Sequence, residues 1–323
     1  MVNQRQQKYS FRKSSSMRGG TSAPKKSRES GCFSCCCGPA DEVPEVDVVL
    51  IGAGIMSATV GLMLQQLEPS WKIMMFERLH APSEESSNGF NNAGTGHAGF
   101  MEPNYTKEKK NPDGTTTVTT DKVVSICDMF MLSRQYWAYL AQTKPPGFTE
   151  CLLPDPETFI HQADHIALGI GKDQVEFIKS RYEAMKKLPL FDTMELALER
   201  ETQAQWAPLI LKGRDPSEPL AMTRVKYGTD VDFGALTKAK VGAFMRLGGD
   251  LRLFTTVTGL KKEKDGRWLV STKQNDAGRG SGKVRARFVF VGAGGWALLM
   301  LQKARIPEVR GYMALPVTGD WAV

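Results

Sequence analysis

Apolar positions along the chain fall into short continuous runs separated by glycine-rich or polar stretches. Val46-Asp47-Val48-Val49-Leu50-Ile51 is one such run, of strand length, and reads as a parallel strand buried on both faces. Gly52-Ala53-Gly54-Ile55-Met56-Ser57 then opens a helix through about Leu67, with Leu62, Leu64 and Leu67 as part of its apolar surface and Pro69-Ser70 at its end. A second strand, Lys72 to Phe76, carries Glu77 at its carboxyl end. Far downstream, Phe288-Val289-Phe290-Val291 runs into Gly292-Ala293-Gly294-Gly295. Helical patterns cover 122–143, 172–187 and 193–206, and strands are expected near 250–256, 267–271 and 284–291. The polar stretch from Lys107 to Asp121 reads as a solvent loop or a hairpin around Pro112-Asp113-Gly114. Asp230 or Asp232 is the expected cap of a helix beginning at Phe233. The alternation of strands and helices predicts an α/β fold with a doubly wound sheet.

Charge changes this picture at one end. The 323 residues hold 42 Lys and Arg against 35 Asp and Glu, a formal charge of +7. Residues 1–40 contain eight of the basic residues and a single acid, Glu29, which leaves 34 of each sign in 41–323. The body is neutral, so a basic nucleic-acid-binding domain is not expected. The first 28 residues are rich in Arg, Lys and Ser, carry no acid and lack the apolar run of a secretory signal. That composition is the pattern of an organellar transit peptide, so a mitochondrial location is expected, with residues 1–43 as a basic leader. Four of the six cysteines, Cys32, Cys35, Cys36 and Cys37, lie there too. They admit three readings: a metal site, which lacks further ligands nearby; palmitoylation of Cys35 to Cys37; or no chemistry, so the alternatives to a mitochondrial location are a cytoplasmic protein or one anchored to a membrane through palmitoylated Cys35 to Cys37. No apolar stretch reaches membrane-spanning length.

The strand, glycine turn, helix and second strand form a unit with specific physical uses. Gly52 permits a tight turn, and Gly54 lets the backbone approach a pyrophosphate. The helix amino terminus offers free N–H groups and the positive end of its dipole. Ser57 stands at the third glycine position and is small enough for close packing. Glu77 follows at about the offset expected of an acid on an adenosine ribose. These features point to a dinucleotide. The late strand before Gly292, Gly294 and Gly295 is either a second dinucleotide site or a sheet strand returning to the same cofactor. No strand with an acid follows it, which favours the return. One early fingerprint with one late glycine return fits a flavoprotein better than a nicotinamide dehydrogenase.

A further segment, Glu85-Ser86-Ser87-Asn88-Gly89-Phe90-Asn91-Asn92-Ala93-Gly94-Thr95-Gly96-His97-Ala98, is dense in amides, hydroxyls and small residues. With DVVLIGAGIMS at 47–57, FERL at 76–79, NYT at 104–106, SRQYWAYL at 133–140, FIKSRYEAMKKLPLF at 177–191, TRVKYGTDVDFGALT at 223–237 and FVFVGAGGWALLMLQKARIP at 288–307, it resembles the malate:quinone oxidoreductase family. The likeness spans about 46–323, and NNAGTGH is its most specific word.

The resemblance implies a peripheral membrane flavoenzyme that oxidises (S)-malate to oxaloacetate in the tricarboxylic acid cycle. Electrons would pass through FAD to a membrane quinone, with no metal. Its fold would be an FAD/NAD(P)-binding Rossmann-like doubly wound domain with an inserted, incomplete α+β substrate domain. The FAD-binding domain is expected at 44–110 and 222–310, and the substrate domain at 111–221 and 311–323. Gly52, Gly54, Ser57 and Glu77 would bind the adenine dinucleotide half. Asn91, Asn92, Gly94, Thr95 and Gly96 would lie along FAD towards the flavin, and Gly292, Gly294 and Gly295 would close over it. Two departures stand out. Ala163-Asp164-His165-Ile166-Ala167-Leu168 keeps only the histidine of the family's usual wording there. Family members also run well beyond the equivalent of Val323, so a C-terminal truncation is expected.

Malate oxidation needs a base for the C2 hydroxyl and cations for two carboxylates. His97, in the cofactor loop, and His165 are the candidate bases, against structural roles for each; the base could also lie in the part that this chain lacks. Arg224 and Arg134 are the candidate carboxylate clamps, against ordinary ion pairs. Tyr105 and Tyr227 could line the site. Two rivals remain: a related FAD-dependent oxidoreductase of another 2-hydroxy acid or an amino acid, and an inactive remnant.

Overall fold

A computed structural model of the chain describes residues 43–96, 99–275 and 280–314. The basic leader, its cysteines and His97 lie outside the described residues. The first apolar run forms β1 (Glu45–Ile51), followed by α1 (Ile55–Leu67) and β2 (Ile73–Phe76). The polar loop ends in β3 (Thr95–Gly96). The stretch read as a loop or hairpin is a hairpin, β4 (Glu108–Lys110) paired with β5 (Thr116–Val118). Then come α2 (Asp121–Gln142), β6 (Ile160–Gln162), β7 (His165–Ile170) and α3 (Lys172–Met185). They are followed by β8 (Glu195–Ala197), α4 (Arg200–Trp206), α5 (Pro208–Leu211), β9 (Leu220–Val225) and β10 (Thr229–Val231). The expected cap is Asp232, whose carboxylate accepts the Ala235 N–H at 2.9 Å and opens α6 (Phe233–Arg246). The chain closes with β11 (Asp250–Arg252), β12 (Thr255–Lys262), β13 (Trp268–Gln274), β14 (Ser281–Val291) and α7 (Ala297–Lys303).

One sheet dominates, in the order β11-β2-β1-β14-β13-β12. Its first four strands are parallel and its last three form an antiparallel meander. The continuous apolar run of β1 is explained by burial on both faces. Val48 and Leu50 pack with Ile73, Met75, Val241 and Phe244 under α1 and α6. Val49 and Ile51 face the other way, onto Val257, Val270 and the α7 residue Met300. With helices on both faces, the sheet is doubly wound.

Two three-stranded sheets, β3-β10-β6 and β7-β9-β8, lie in the segment between β2 and α6. Residues 222–231, expected with the cofactor domain, belong to these smaller sheets, and the chain rejoins the large sheet at α6. The helix expected over 193–206 is corrected: Glu195–Ala197 pairs with β9 as a strand, and only Arg200–Trp206 is helical. Pairing with an available edge outweighs the local preference of these three residues.

Lys240 is buried on α6, where it faces α1 and α2. Its Nζ donates to Thr59 Oγ1 at 2.8 Å and lies 5.6 Å from the ring centres of Tyr136 and Trp137. Burial pulls its pKa down to about 8. The unfolded chain therefore binds more protons than the folded one between about pH 8 and the ordinary lysine value of 10.5. Stability contributed by this residue rises with pH across that window, at about 1.4 kcal/mol per pH unit. Lys240→Met is expected to match or exceed the parent in stability near neutral pH. Denaturant unfolding of both proteins at successive pH values should show that difference shrinking above about pH 8.

Candidate functional site

The site is built where β1 ends. Gly52 turns with φ +88°, and its N–H donates to the Phe76 carbonyl at 2.8 Å. A methyl group on Gly52 would lie 2.6 Å from the Gly292 carbonyl oxygen, and one on Gly292 would lie 2.1 Å from Ser57 Oγ. The turn after β1, the start of α1 and the end of β14 therefore meet with no space for a Cβ at either glycine. Ser57 is fully buried in this contact and donates to the Ile51 carbonyl at 3.4 Å.

Gly54 is the amino-terminal cap of α1 and makes no side-chain cap hydrogen bond. The Ile55 N–H instead donates to Ser87 Oγ at 3.0 Å, which ties the polar loop to the helix end. The first turn of α1 carries no acid, so the positive end of its dipole is not neutralised from within the helix. Glu77 is buried, with one oxygen accepting the Ala53 N–H at 2.8 Å and the other accepting the Leu79 N–H at 2.8 Å. Its carboxylate thus braces the glycine turn as well as lining the cleft.

That cleft measures about 340 Å³ and is bordered by the glycine turn, Ser83 to Ser87, and Phe290 to Gly294. A second cavity of about 370 Å³ shares Gly52, Glu77, Glu85 and Ala293 with it and extends past Arg78 to Thr255 and Val257. The two cavities adjoin at the carboxyl ends of β1 and β2 and form one groove there. The positive end of the α1 dipole at the cleft and glycine turns without Cβ atoms fit a dinucleotide. Arg78 pairs with Glu85 across the groove mouth.

The remaining predicted residues divide. Asn92 Oδ1 accepts the Gly94 N–H at 2.9 Å, while its amide donates to the carbonyls of Ser86 and Asn88. Asn91 donates to the Glu85 carbonyl at 2.9 Å. Gly94 adopts φ +61°, and a methyl there would lie 2.5 Å from Asp230 Oδ1. Thr95 and Gly96 pair with β10. Gly292 and Gly294 border the cleft, whereas a methyl on Gly295 would meet nothing within 4 Å.

His165 is buried at the start of β7, with Nε2 3.1 Å from the Thr229 carbonyl and its ring edge-on to Phe100 at 6.2 Å. Arg224 is held by Glu195, with Nε and Nη2 at 2.9 and 2.8 Å from one carboxylate oxygen, and lies 4.3 Å over the Trp206 ring. Arg134 is exposed on α2, one turn after Phe130, whose ring would lie 3.0 Å from a methyl on Gly96.

Sequence reasoning passed over Arg181. It is fully buried on α3, and its guanidinium donates to Thr106 Oγ1 at 3.1 Å and to the Gly99 and Phe100 carbonyls at 3.2 and 2.8 Å. Burial brings its pKa down to about 10, which leaves it protonated at neutral pH, with the Glu102 charge opposing the shift. It fastens the chain beyond the NNAGTGH loop to α3. The available signal was its place on the apolar stripe of Val175, Ile178, Tyr182 and Met185.

Fold and site together define a Rossmann-like α/β protein of the flavoprotein oxidoreductase fold. Solved structures with this fold include the L-alpha-glycerophosphate oxidase from Mycoplasma pneumoniae, at TM-score 0.53 and 16% identity, covering 81% of this chain and 57% of that one. Glycine oxidase from Geobacillus kaustophilus matches at TM-score 0.56 and 16% identity, over 81% of this chain and 58% of that one. More specifically, the chain belongs to the malate:quinone oxidoreductase family: the profile described as Malate:quinone oxidoreductase (Mqo) matches residues 44–323. The malate:quinone oxidoreductase of Corynebacterium glutamicum (strain ATCC 13032) is 45% identical over 277 residues, 86% of this chain and 53% of that protein. A probable malate:quinone oxidoreductase of Flavobacterium psychrophilum is 46% identical over 278 residues, 86% of this chain and 54% of that protein. The chain spans about half the length of the curated relatives it matches.

Gly52→Ala and Gly292→Val are each expected to destabilise the fold by about 1–3 kcal/mol, through the strained φ in one case and the blocked contact in both. Gly295→Ala should fall within about 0.5 kcal/mol of the parent. Thermal unfolding of the three variants checks the contrast.

Proposed function

We propose that this chain carries the cofactor-binding part of an FAD-dependent malate dehydrogenase that reduces a quinone. The observation that carries the reading is the family match over 44–323, and the cleft at the glycine turn is in keeping with it. In this reading the amino terminus of α1 and Gly54 hold the pyrophosphate. Glu77 takes the adenosine ribose, in keeping with its place in the groove wall. Asn91, Asn92, Gly94, Thr95 and Gly96 follow the cofactor towards its flavin, and Gly292, Gly294 and Gly295 close the other side. FAD supplies the acceptor for the hydride leaving malate C2.

The chain's own residues then have to take the hydroxyl proton and hold two carboxylates. We assign the proton to His97 ahead of His165, because His165 is enclosed by Phe100 and the Thr229 carbonyl. We assign a substrate carboxylate to Arg134 ahead of Arg224, because Glu195 and Trp206 already engage Arg224. A substrate carboxylate at Arg224 would have to displace a close ion pair.

Electron delivery to a quinone calls for contact with a membrane surface. Among the described residues no helix is long and apolar enough to cross one, so the contact would be peripheral. The mitochondrial address rests on the leader's composition alone, and the named relatives, being bacterial, lend it no support. A fluorescent protein fused behind residues 1–43 tests it: import into mitochondria is expected, and diffuse or plasma-membrane fluorescence would reject it in favour of the cytoplasmic or acylated alternatives.

The purified chain is expected to bind FAD and to show malate-dependent reduction of a quinone-analogue dye. His97→Asn should lower that rate by at least about 100-fold with flavin content unchanged. His165→Asn should mainly lower the melting temperature. A colourless chain with no flavin binding would reject the reading and leave an inactive remnant. A flavin-loaded chain reduced by an amino acid or another 2-hydroxy acid, and not by malate, would favour the related-oxidoreductase alternative.

A further inference from the structure

Lys240 breaks a rule that buried residues ordinarily keep. Its side chain is 1% exposed, and among the described residues no carboxylate pairs with it. Burying a charge without a counter-charge is costly. The ammonium donates to Thr59 Oγ1 and otherwise faces the rings of Tyr136 and Trp137. An uncharged side chain of similar length would fill the same space at lower cost, so packing between α2 and α6 does not by itself account for a lysine. Local rules broken in this way are expected where function requires them.

The hydrogen-bond partner of Lys240 leads to the cleft. Thr59 Oγ1 accepts from Lys240 and donates to the Ile55 carbonyl at 2.7 Å. Ile55 is the first residue of α1 and lines the cleft with Ser87, which accepts its N–H. Four residues at about 1.5 Å each put Thr59 about 6 Å along the axis from that end, so the ammonium stands on the order of 10 Å from it. Little screens this charge. From Ile55 to Leu67, α1 carries no charged residue. Tyr136 donates its hydroxyl to Gln66, and burial pushes its pKa up, which keeps it neutral. The nearest charges in sequence on α2 and α6, Arg134 and Lys238, are both exposed. In such apolar surroundings the Lys240 charge adds to the positive end of the α1 dipole.

We propose that Lys240 is a positioning residue for the pyrophosphate of a dinucleotide, a buried positive charge that acts from behind the first turn of α1 and raises the affinity of the cleft without touching the ligand. The inference rests on the placement of the pyrophosphate at the amino terminus of α1 given above. Binding of the pyrophosphate and protonation of Lys240 then favour one another. Burial draws the Lys240 pKa down to about 8, so above that pH the residue is largely neutral in the unliganded chain. A pyrophosphate at the cleft restores the charge, and binding takes up a proton. One charge on the order of 10 Å away, at an effective dielectric of about 20, corresponds to about tenfold in affinity, or about one pKa unit on Lys240.

ADP, which carries the pyrophosphate without a flavin, is the probe. Its binding to the full chain is measured by calorimetry in buffers of different ionisation enthalpy, from about pH 7.5 to about pH 9.5. The parent should take up about half a proton per ADP near pH 8.5 and lose most of a tenfold in affinity across the range. Lys240→Met should bind ADP up to about tenfold more weakly at the lower pH, with neither the uptake nor the pH dependence. Lys240→Arg, which stays charged, should restore the affinity at both ends without the uptake. Lys238→Met, at the exposed neighbour on α6, should keep the uptake. A role confined to packing would move the unfolding temperature and leave the uptake unchanged between parent and Lys240→Met. The uptake is read on the parent itself, so a variant that fails to fold does not remove the test. ADP that binds without proton uptake near pH 8.5, or with equal uptake in Lys240→Met, overturns the inference and leaves the cofactor reading standing. No binding of ADP overturns both. The expected linkage in a chain that takes up no flavin would support the role of Lys240 and remove the flavin assignment.

Discussion

The contact between Gly52 and the Gly292 carbonyl is the constraint on which the cleft depends. It joins the end of the first strand to the end of the last, and it works only because neither position carries a Cβ. Ser57 fills what remains of the space, which explains why a serine can stand where a third glycine is common. Once the two turns are locked, the amino terminus of α1 faces the groove, and Glu77 can reach the Ala53 N–H from the neighbouring strand. Parallel pairing of β1 with β14 is the long-range condition for this. It requires the chain to travel through two smaller sheets and return before the cofactor groove exists at all.

The segment between β2 and α6 is held by polar fastenings as much as by apolar packing. The side-chain amides of Asn91 and Asn92 donate to the carbonyls of Glu85, Ser86 and Asn88 just before them, Gly94 sits against Asp230, and Ser87 ties this stretch to α1. Arg181 then anchors the following stretch by donating to two backbone carbonyls and a threonine hydroxyl. A buried guanidinium served by neutral oxygens is costly to desolvate, and truncating it would leave those oxygens without donors. The loop expected beside the flavin is thereby fixed from both ends.

The local features of this fold were readable along the chain because they obey short-range rules. The β1-turn-α1-β2 unit, the 107–121 hairpin and the Asp232 cap follow from apolar runs, turn residues and capping chemistry. Features set by distant partners were not readable. Glu195–Ala197 is a strand because β9 offers an edge, and Leu67, read as part of the apolar helix surface, lies exposed at the end of α1. Arg224 looked available until Glu195 came beside it, and Arg181 was passed over although it lies on a buried stripe. For the groove, the glycines and Glu77 were legible, while Ser86, Ser87 and the Thr255 to Val257 wall were brought in by the fold.

The most direct test of the cofactor groove is hydrogen–deuterium exchange of the purified chain with and without FAD, read segment by segment. Slower exchange confined to the start of α1, residues 83–87 and the turn after β14 is the expected result. Unchanged exchange in those three segments at saturating FAD, or protection centred elsewhere, would contradict it.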